Sequence, residues 1–193
     1  RGLCGAFNSN ILRTAVQRMK NDYAAQYEAG NVSVLTIGRK GTEFFSKRGY
    51  TVVSSHDSIF DRLTYENVSE IATSVMDAFA NKQFDRVDIV YNQFKNAAVQ
   101  YVTVEQFLPV ETPAPNAVQA KSNNDYLFLP SKEEIVTELI PKSLKIQFYK
   151  AVLDSNASEH GARMTAMHQA TDNAGDLIKQ LILAYTKARQ AAI

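Results

Sequence analysis

One helical pattern runs without a break through residues 158–193, SEHGARMTAMHQATDNAGDLIKQLILAYTKARQAAI. Its apolar and small residues recur at alternating steps of three and four, which is the a/d spacing of a coiled coil. The pattern therefore predicts a helix whose seam is buried against a second helix. The seam consists of Met164, Met167, Thr171, Ala174, Ile178, Leu181, Tyr185, Ala188 and Ala192.

This helix is long for a chain of this size. At about 1.5 Å per residue its 36 residues span roughly 50 Å, so it is expected to project from the domain. Gly161 and Gly175 each cost about 1 kcal/mol of helix propensity and indicate close approach of a neighbour. An amphipathic helix lying on its own domain remains the alternative. The charged residues beside the seam are predicted to form a solvated face: Glu159, Arg163, Asp172, Asp176, Lys179, Lys187 and Arg189.

The composition is that of one ordinary soluble domain with an extension. The chain has 193 residues, of which 45% are apolar and 21% charged, and its formal net charge is +1. This balance argues against a dedicated nucleic-acid or membrane-surface binder, and no apolar run approaches the ~20 residues that span a bilayer. A single cysteine, Cys4, allows no internal disulfide and is predicted to be a small buried residue. Because the chain opens on Arg1 without a signal-peptide layout, we expect it to be an internal fragment.

Before residue 110 the chain alternates between helical and strand periodicity. A helix capped by Asn8 or Ser9 is predicted to run to about Glu28. Apolar, β-branched runs between turn signals predict three strands in parallel order, at 32–37, 50–54 and 87–92. Helices are predicted at 42–48 and 65–82, and residues 87–94 with 99–108 are predicted to form an antiparallel hairpin.

After residue 110 the sequence predicts a surface loop, a short strand and a helix. The loop covers 111–125 and the strand 126–129. A helix capped by Ser131 and Glu134 should follow. Pro141 should interrupt this helix. After the interruption it should resume, with four residues packed on the domain: Leu144, Phe148, Val152 and Leu153. The predicted fold class is α/β, with a small open Rossmann-like sheet, mostly parallel with an antiparallel hairpin edge, plus the long C-terminal helix. We expect the domain at 1–143 and the helix at 144–193.

The search for catalytic chemistry finds little. Gly38–Gly41 follows a buried strand, where a doubly wound sheet would hold a phosphate, but its spacing is neither GxGxxG nor GxxxxGK[ST], which favours a tight turn. His56, His160 and His168 are scattered without metal-ligand spacing. Ser54–Asp57 lacks the glycine pattern of a nucleophile elbow. We therefore predict no catalytic residue, no metal site and no cofactor.

Several blocks of the sequence resemble the γ subunit of F-type ATP synthase: RGLCGAFN at 1–8, the turn at 38–41, ASEHGARM at 157–164, ATDNA at 170–174 and KARQAAI at 187–193. The resemblance implies a central rotor whose N- and C-terminal helices form an antiparallel coiled coil inside a hexamer of α and β subunits. It also implies that the α/β domain lies against the ε subunit and the membrane c-ring. In that family the partner helix precedes the RGLCG block, and a terminal signature follows the position of Ile193.

The implied function is to couple proton flow through the membrane ring to conformational cycling of the catalytic hexamer, without direct membrane insertion. The implied location is the cytoplasmic face of the bacterial inner membrane, with the organellar equivalent open. Arg189 and Gln190 match the family's Arg-Gln pair that meets acidic residues of a β-subunit catch loop. The isolated fragment is expected to fray or self-associate through its seam. A nucleotide-dependent α/β domain and a generic coiled-coil adaptor are the alternatives.

Overall fold

The structure is a computed structural model that describes residues 2–110 and 131–192, apart from the side chains at 132–134 and 136. Within these residues it has five α-helices, four strands and one 3-10 turn at Ile59–Asp61. The helices are α1 (Phe7–Asn21), α2 (Ala24–Glu28), α3 (Arg39–Lys47), α4 (Tyr65–Ala80) and α5 (Lys132–Ala191), and the strands are β1 (Ser33–Ile37), β2 (Thr51–His56), β3 (Val87–Phe94) and β4 (Gln100–Leu108).

β1 and β2 form a parallel pair joined by α3, which confirms the predicted parallel packing. The turn between β1 and α3 is a single glycine, because α3 begins at Arg39 rather than at Thr42 as predicted. Gly38 has φ 105°, and a Cβ there would lie 3.2 Å from the ring of Phe60. Both the backbone conformation and the available space therefore require glycine at this turn.

β3 and β4 form the predicted antiparallel hairpin. In the described residues these two strands hydrogen-bond only with each other, so β3 is not a third strand of the β1–β2 sheet as we predicted. The sequence indicates that a segment is extended but not which strand edge it will pair with. The fold class is confirmed: a mixed α/β fold with a small parallel sheet, an antiparallel hairpin and a long C-terminal helix.

The first predicted helix is divided and starts earlier than expected. Its N-cap position is occupied by Ala6, so the capping prediction for Asn8 and Ser9 was wrong. Both lie in the first turn, where Asn8 Nδ2 donates to Cys4 Sγ over 3.2 Å and Ser9 Oγ donates to the Ala6 carbonyl over 3.0 Å. Cys4 is buried, as predicted.

The core lies between α4, the hairpin and the first third of α5. Its centre is Phe107 of β4, which is 1% exposed and packs with the ring of Phe148. Leu153 was predicted to join this core but is 39% exposed, since it points about 100° away from its buried neighbour Val152. The buried cluster comprises Val68, Ile71, Ala72, Phe107, Leu108, Leu144, Phe148 and Val152.

α5 is one helix of 60 residues that passes through Pro141. The predicted interruption was wrong: proline removes one helical hydrogen bond, at a cost of about 3 kcal/mol, but Leu144 and Phe148 bury the turns that follow. The division we predicted between 143 and 144 falls inside α5 and stays a prediction. The loop at 111–125, the strand at 126–129 and the side chain of Glu134 lie outside the described residues.

Candidate functional site

The tip of the β3–β4 hairpin contacts one face of α5 where that helix leaves the domain. Ser158, which is fully buried, donates from Oγ to the Asn92 carbonyl over 3.1 Å. One turn later a Cβ on Gly161 would lie 2.9 Å from the Ala97 carbonyl oxygen and 3.1 Å from Ala97 Cα. Thr165 Oγ1 then donates to the Ala97 carbonyl over 3.1 Å. The close approach predicted at Gly161 is therefore a backbone contact with the hairpin.

A second contact holds another side of the same helix. Arg163 pairs with Glu159 one turn away and donates from Nε to the carbonyl of Gly2 over 3.4 Å. The two charged side chains are only 19% and 21% exposed. The prediction that they belong to a solvated face was therefore wrong, because it took account of helix periodicity but not of the pairing of the two side chains and the contact of Arg163 with Gly2.

Beyond Thr165, α5 is not supported by the domain. In the described part of the chain the hydrogen bonds and ion pairs found there lie within α5 itself. The large seam side chains are open to solvent: Met164 is 60% exposed, Ile178 57%, Leu181 60% and Tyr185 69%. A Cβ at Gly175 would meet no atom within 4 Å. The alternative of a helix lying on its own domain is excluded for this part of the chain.

The exposed apolar surface is larger than the predicted seam. Leu177 and Ile182 flank the seam, and Leu183 lies on the opposite side of the helix, each 56–61% exposed. A helix that is apolar on nearly all sides is normally buried on nearly all sides. The heptad positions alone do not predict this wider apolar surface. The sequence does show it as an apolar run, which comprises Leu177, Ile178, Leu181, Ile182 and Leu183.

One of the two heptad positions also continues toward the domain. Counting back from Met167 in steps of seven leads through His160 to Leu153, Ile146 and Leu139, which are 39%, 51% and 55% exposed. The exposed stripe therefore begins at the start of α5 and not at Met164. Sequence analysis missed it because the buried residues of this segment, which face the domain, dominate its pattern.

Arg189 and Gln190 lie on the exposed surface near the end of α5. No ion-pair partner of Arg189 is found among residues 2–110 and 131–192. Ten or more residues earlier on α5, polar residues form a solvated face, with Lys179 paired to Asp176 over 3.0 Å and His168 3.9 Å from Asp172.

The side chains of Thr36, Thr42 and Asp57 lie around the Gly38–Gly41 segment, of which only Gly38 precedes α3. A Cβ at Gly41 would be in contact with Thr36 at 3.5 Å, and Thr42 Oγ1 lies 2.9 Å from Thr36 Oγ1 and 2.7 Å from a carboxylate oxygen of Asp57. Lys40 pairs with Glu43 over 3.0 Å. A carboxylate close to the start of α3 disfavours a phosphate, so the turn has the features of a structural link.

The scattered histidines are not brought together. His56 Nε2 lies 3.0 Å from Ser54 Oγ in β2, whereas His160 and His168 are on α5. Among the described residues no group of three or more His, Cys, Asp or Glu side chains is placed to hold a metal ion. None of the described helices has an apolar stretch long enough to cross a bilayer.

A network of charged and aromatic groups holds α1 and the turn after it against β3. The carboxylate of Asp88, whose side chain is 9% exposed, accepts from Arg18 Nε over 3.0 Å, Tyr23 Oη over 2.7 Å and Arg86 Nε over 3.1 Å. Burial alone would raise the pKa of Asp88, but the hydrogen bonds from Tyr23, Arg86 and Arg18 together hold it below its usual value. The same bonds explain why the first predicted helix is divided after residue 21.

We predict a pH-dependent contribution of Asp88 to stability. Because its pKa is lower in the folded than in the unfolded chain, its contribution is complete above about pH 4 and is lost as the pH falls through the folded-state value. Asp88→Asn should lower the free energy of unfolding by about 1.5–2 kcal/mol at pH 7. Urea unfolding of both proteins between pH 7 and pH 3 measures this, and the difference between them should be constant above about pH 4 and begin to narrow below it. A difference that stays constant down to pH 3 would contradict the prediction.

Together the fold and this surface define a class of protein: an α/β domain that carries a long helix whose distal part is exposed, rich in apolar residues and unsupported by the domain. A family model described as ATP synthase matches residues 1–193. The chain belongs to the γ-chain family of ATP synthase.

The relatives agree with this assignment. The ATP synthase γ chain of Flavobacterium johnsoniae is 54% identical over the whole of this chain and 65% of its own length, and that of Cytophaga hutchinsonii is 48% identical over 66% of its length. The chain thus spans about two thirds of the curated relatives that it matches. In the central stalk of the Tetrahymena thermophila mitochondrial ATP synthase, a chain 26% identical superposes with a TM-score of 0.65 over 89% of this chain and 72% of its own. A rotor chain of the Euglena gracilis enzyme, 20% identical with a TM-score of 0.65 over 100% of this chain and 71% of its own, shares the fold.

Proposed function

We propose that the chain is part of the central-stalk rotor of an F-type ATP synthase, which couples proton flow through the membrane ring to conformational cycling of the catalytic α/β hexamer. The observation that carries the proposal is the distal half of α5, which has an exposed apolar seam and, over residues 177–183, exposed apolar side chains on nearly all sides. Such a helix requires neighbours on nearly all sides. A second helix along the seam and the bore of a hexamer around both would supply them.

In this proposal the chain acts by shape and has no catalytic group or cofactor of its own. An asymmetric shaft that contacts three catalytic subunits differently favours a different state in each, so turning it changes their affinities in sequence. The partners are the α and β subunits around α5, and the ε subunit and membrane c-ring against the α/β domain. The chain would be peripheral, at the cytoplasmic face of a bacterial inner membrane or its organellar equivalent.

The direct test is reconstitution. The whole γ subunit that contains this chain should co-purify with α and β subunits from its native source and restore ATP synthesis to γ-depleted membranes. A generic coiled-coil adaptor would instead be recovered with other partners and leave synthesis unrestored.

Arg189 provides a more specific prediction. We propose that Arg189 and Gln190 contact acidic residues of a β-subunit catch loop, because a guanidinium binds a carboxylate with two donors at once. Arg189→Ala should leave the stability of the chain unchanged, since the side chain is exposed, but lower coupled ATP synthesis by about tenfold in the assembled enzyme. Arg189→Lys should recover only part of this rate.

The matched control is Lys187→Ala, which removes an exposed positive charge from the same turn of α5. We expect it to retain most of the synthesis rate. If the Arg189→Ala enzyme and the unmodified enzyme synthesise ATP at equal rates, Arg189 is an ordinary solvated residue.

The enzyme alternative predicts nucleotide binding at the Gly38–Gly41 turn. We expect none, because the turn is occupied by Thr42 and Asp57 and lacks glycine spacing that exposes backbone amides. Isothermal titration of the chain with ATP, ADP and NAD should give no saturable heat. Micromolar binding that disappears in Lys40→Ala would favour the enzyme alternative.

A further inference from the structure

The β3–β4 hairpin has one strand held by α5 and one strand with an open edge. β3 is held by α5, where Ser158 Oγ donates to the Asn92 carbonyl over 3.1 Å. β4 runs for nine residues and, within residues 2–110 and 131–192, pairs with no strand other than β3. Only its end is buried in the core, at Phe107 and Leu108, whereas residues 100–106 stay at least partly accessible. The outer edge of β4 therefore presents backbone N–H and C=O groups that no described strand pairs.

This edge lacks the features that keep an exposed strand from pairing. Natural edge strands are protected by lysine, by proline, by a bulge or by being short. The sequence of β4, QYVTVEQFL, contains no lysine or proline, and residues 100–106 pair with β3 in continuous register without a bulge. Its one charged side chain, Glu105, already accepts from the hydroxyl of buried Tyr91 over 2.7 Å. The edge thus remains suited to pairing with another strand.

A groove lies beside the middle of β4. It has a volume of about 250 Å³ and is formed between α1 and Val104. Its two charged side chains, Arg18 and Asp22, pair with each other over 2.7 Å, so together they offer no net charge to a ligand. In the described part of the chain no hydrogen bond is found for the side chains of Gln17 and Asn21, which also line the groove. The groove is therefore suited to uncharged polar side chains.

We infer that the open edge of β4 binds an extended segment of another subunit, which adds to the hairpin as a third strand. An extended backbone is the ligand that fits a strand edge, because it repeats donors and acceptors at the same spacing. Every second side chain of that segment lies toward α1, where the groove selects uncharged polar residues. The inference rests on the proposed rotor function and deepens it by assigning an interaction surface on the α/β domain.

Hydrogen exchange of the β4 amides tests this surface in the whole γ subunit, alone and in the assembled enzyme. Along β4 the amides point alternately to β3 and to the open edge. The inward set should be protected in both states. The outward set should exchange rapidly in the free subunit and at least about 100-fold more slowly in the enzyme, because a third strand would pair with it.

A single charge on the edge provides the matched variant. Thr103→Lys places a lysine in the middle of β4 and should reduce the protection of the outward set at least about tenfold in the enzyme, since an added strand would bury that charge. The inward set should stay protected, which shows that the hairpin is still folded. Thr51→Lys is the control, because it makes the same change at an exposed threonine of β2 and should leave β4 exchange unchanged.

The outcomes separate the two proposals. If the whole γ subunit does not assemble with α and β subunits, the rotor function is wrong and this inference is wrong with it. If the subunit assembles but its outward amides exchange as fast as in the free subunit, the strand-binding surface is overturned and the rotor function stands. Full protection in the free subunit would also overturn it, because the same subunit would then cover the edge. Full protection in the Thr103→Lys enzyme would show that no strand pairs there.

Discussion

Replacing Ile178 and Leu181 with aspartate should prevent assembly of the γ subunit with α and β subunits while leaving its α/β domain folded. The side chains are 57% and 60% exposed in the chain alone, so two carboxylates there cost the domain little. In an assembled shaft the same carboxylates would be buried without partners, and each such charge costs several kcal/mol. We expect recovery of the complex and ATP synthesis to fall by at least about 100-fold.

The control for this variant is Gln169→Asp with Asn173→Asp, which adds the same charge to the polar side of α5 before the apolar run at 177–183. Thermal unfolding of the isolated chains should be similar for the seam variant, the control and the unmodified chain. If the seam variant assembles at the unmodified yield, the exposed stripe is not an interface and the proposed shaft is wrong.

Gly161→Val should destabilise the domain by about 3 kcal/mol, whereas the equivalent change at Gly175 should not. At Gly161 any Cβ meets the Ala97 backbone at 2.9–3.1 Å, and a backbone cannot yield as the end of a side chain can. The hairpin must therefore move away from α5, with loss of the Ser158 and Thr165 hydrogen bonds. The free energy of unfolding in urea measures the effect.

Alanine at these two glycines should even change stability in opposite directions. Gly175 has open space around it in this chain, so Gly175→Ala gains up to about 1 kcal/mol of helix propensity. Gly161→Ala gains the same propensity but incurs a larger steric cost. Equal stabilisation by the two substitutions would show that the hairpin does not press against α5.

The local pattern of the sequence was sufficient to predict those helices and strands whose structure depends on residues close to them in the chain. Parallel packing of β1 and β2 followed from an apolar run and a helix-length connection, and the hairpin followed from two runs of strand periodicity. The heptad positions of α5 come from the same kind of periodicity, and the burial of their side chains against a second helix stays a prediction. In each case a periodicity within a short window carries the information.

The errors came from contacts between residues far apart in the chain. The break after residue 21 depends on Asp88, 65 positions beyond Tyr23, and the burial of Arg163 depends on Gly2 at the opposite end. The helix continues through Pro141 because Leu144 and Phe148 find a core formed by α4 and β4. Neither composition nor spacing shows which distant segment will arrive at a given position.

The candidate site on α5 was predicted only in part, because part of it depends on contacts outside the heptad repeat. The nine seam residues were visible as a repeat, but Leu183 lies outside the repeat, and the hairpin contact joins Ala97 to a threonine 68 positions away. The predicted pairing of that seam with a second helix and the contact of Arg189 with a catch loop remain proposals, since they concern surfaces of other chains.

Because α5 contributes part of the core, the core cannot be completed until this part of α5 has been synthesised on the ribosome. Phe107 and Val68 are made early but cannot be covered until Leu144, Phe148 and Val152 have emerged. The apolar run at 177–183 follows them, so it leaves the exit tunnel behind a chain whose core residues are already present. The exposed apolar run at 177–183 is thus translated after the core residues, which shortens the time for which the run and an open core are exposed together.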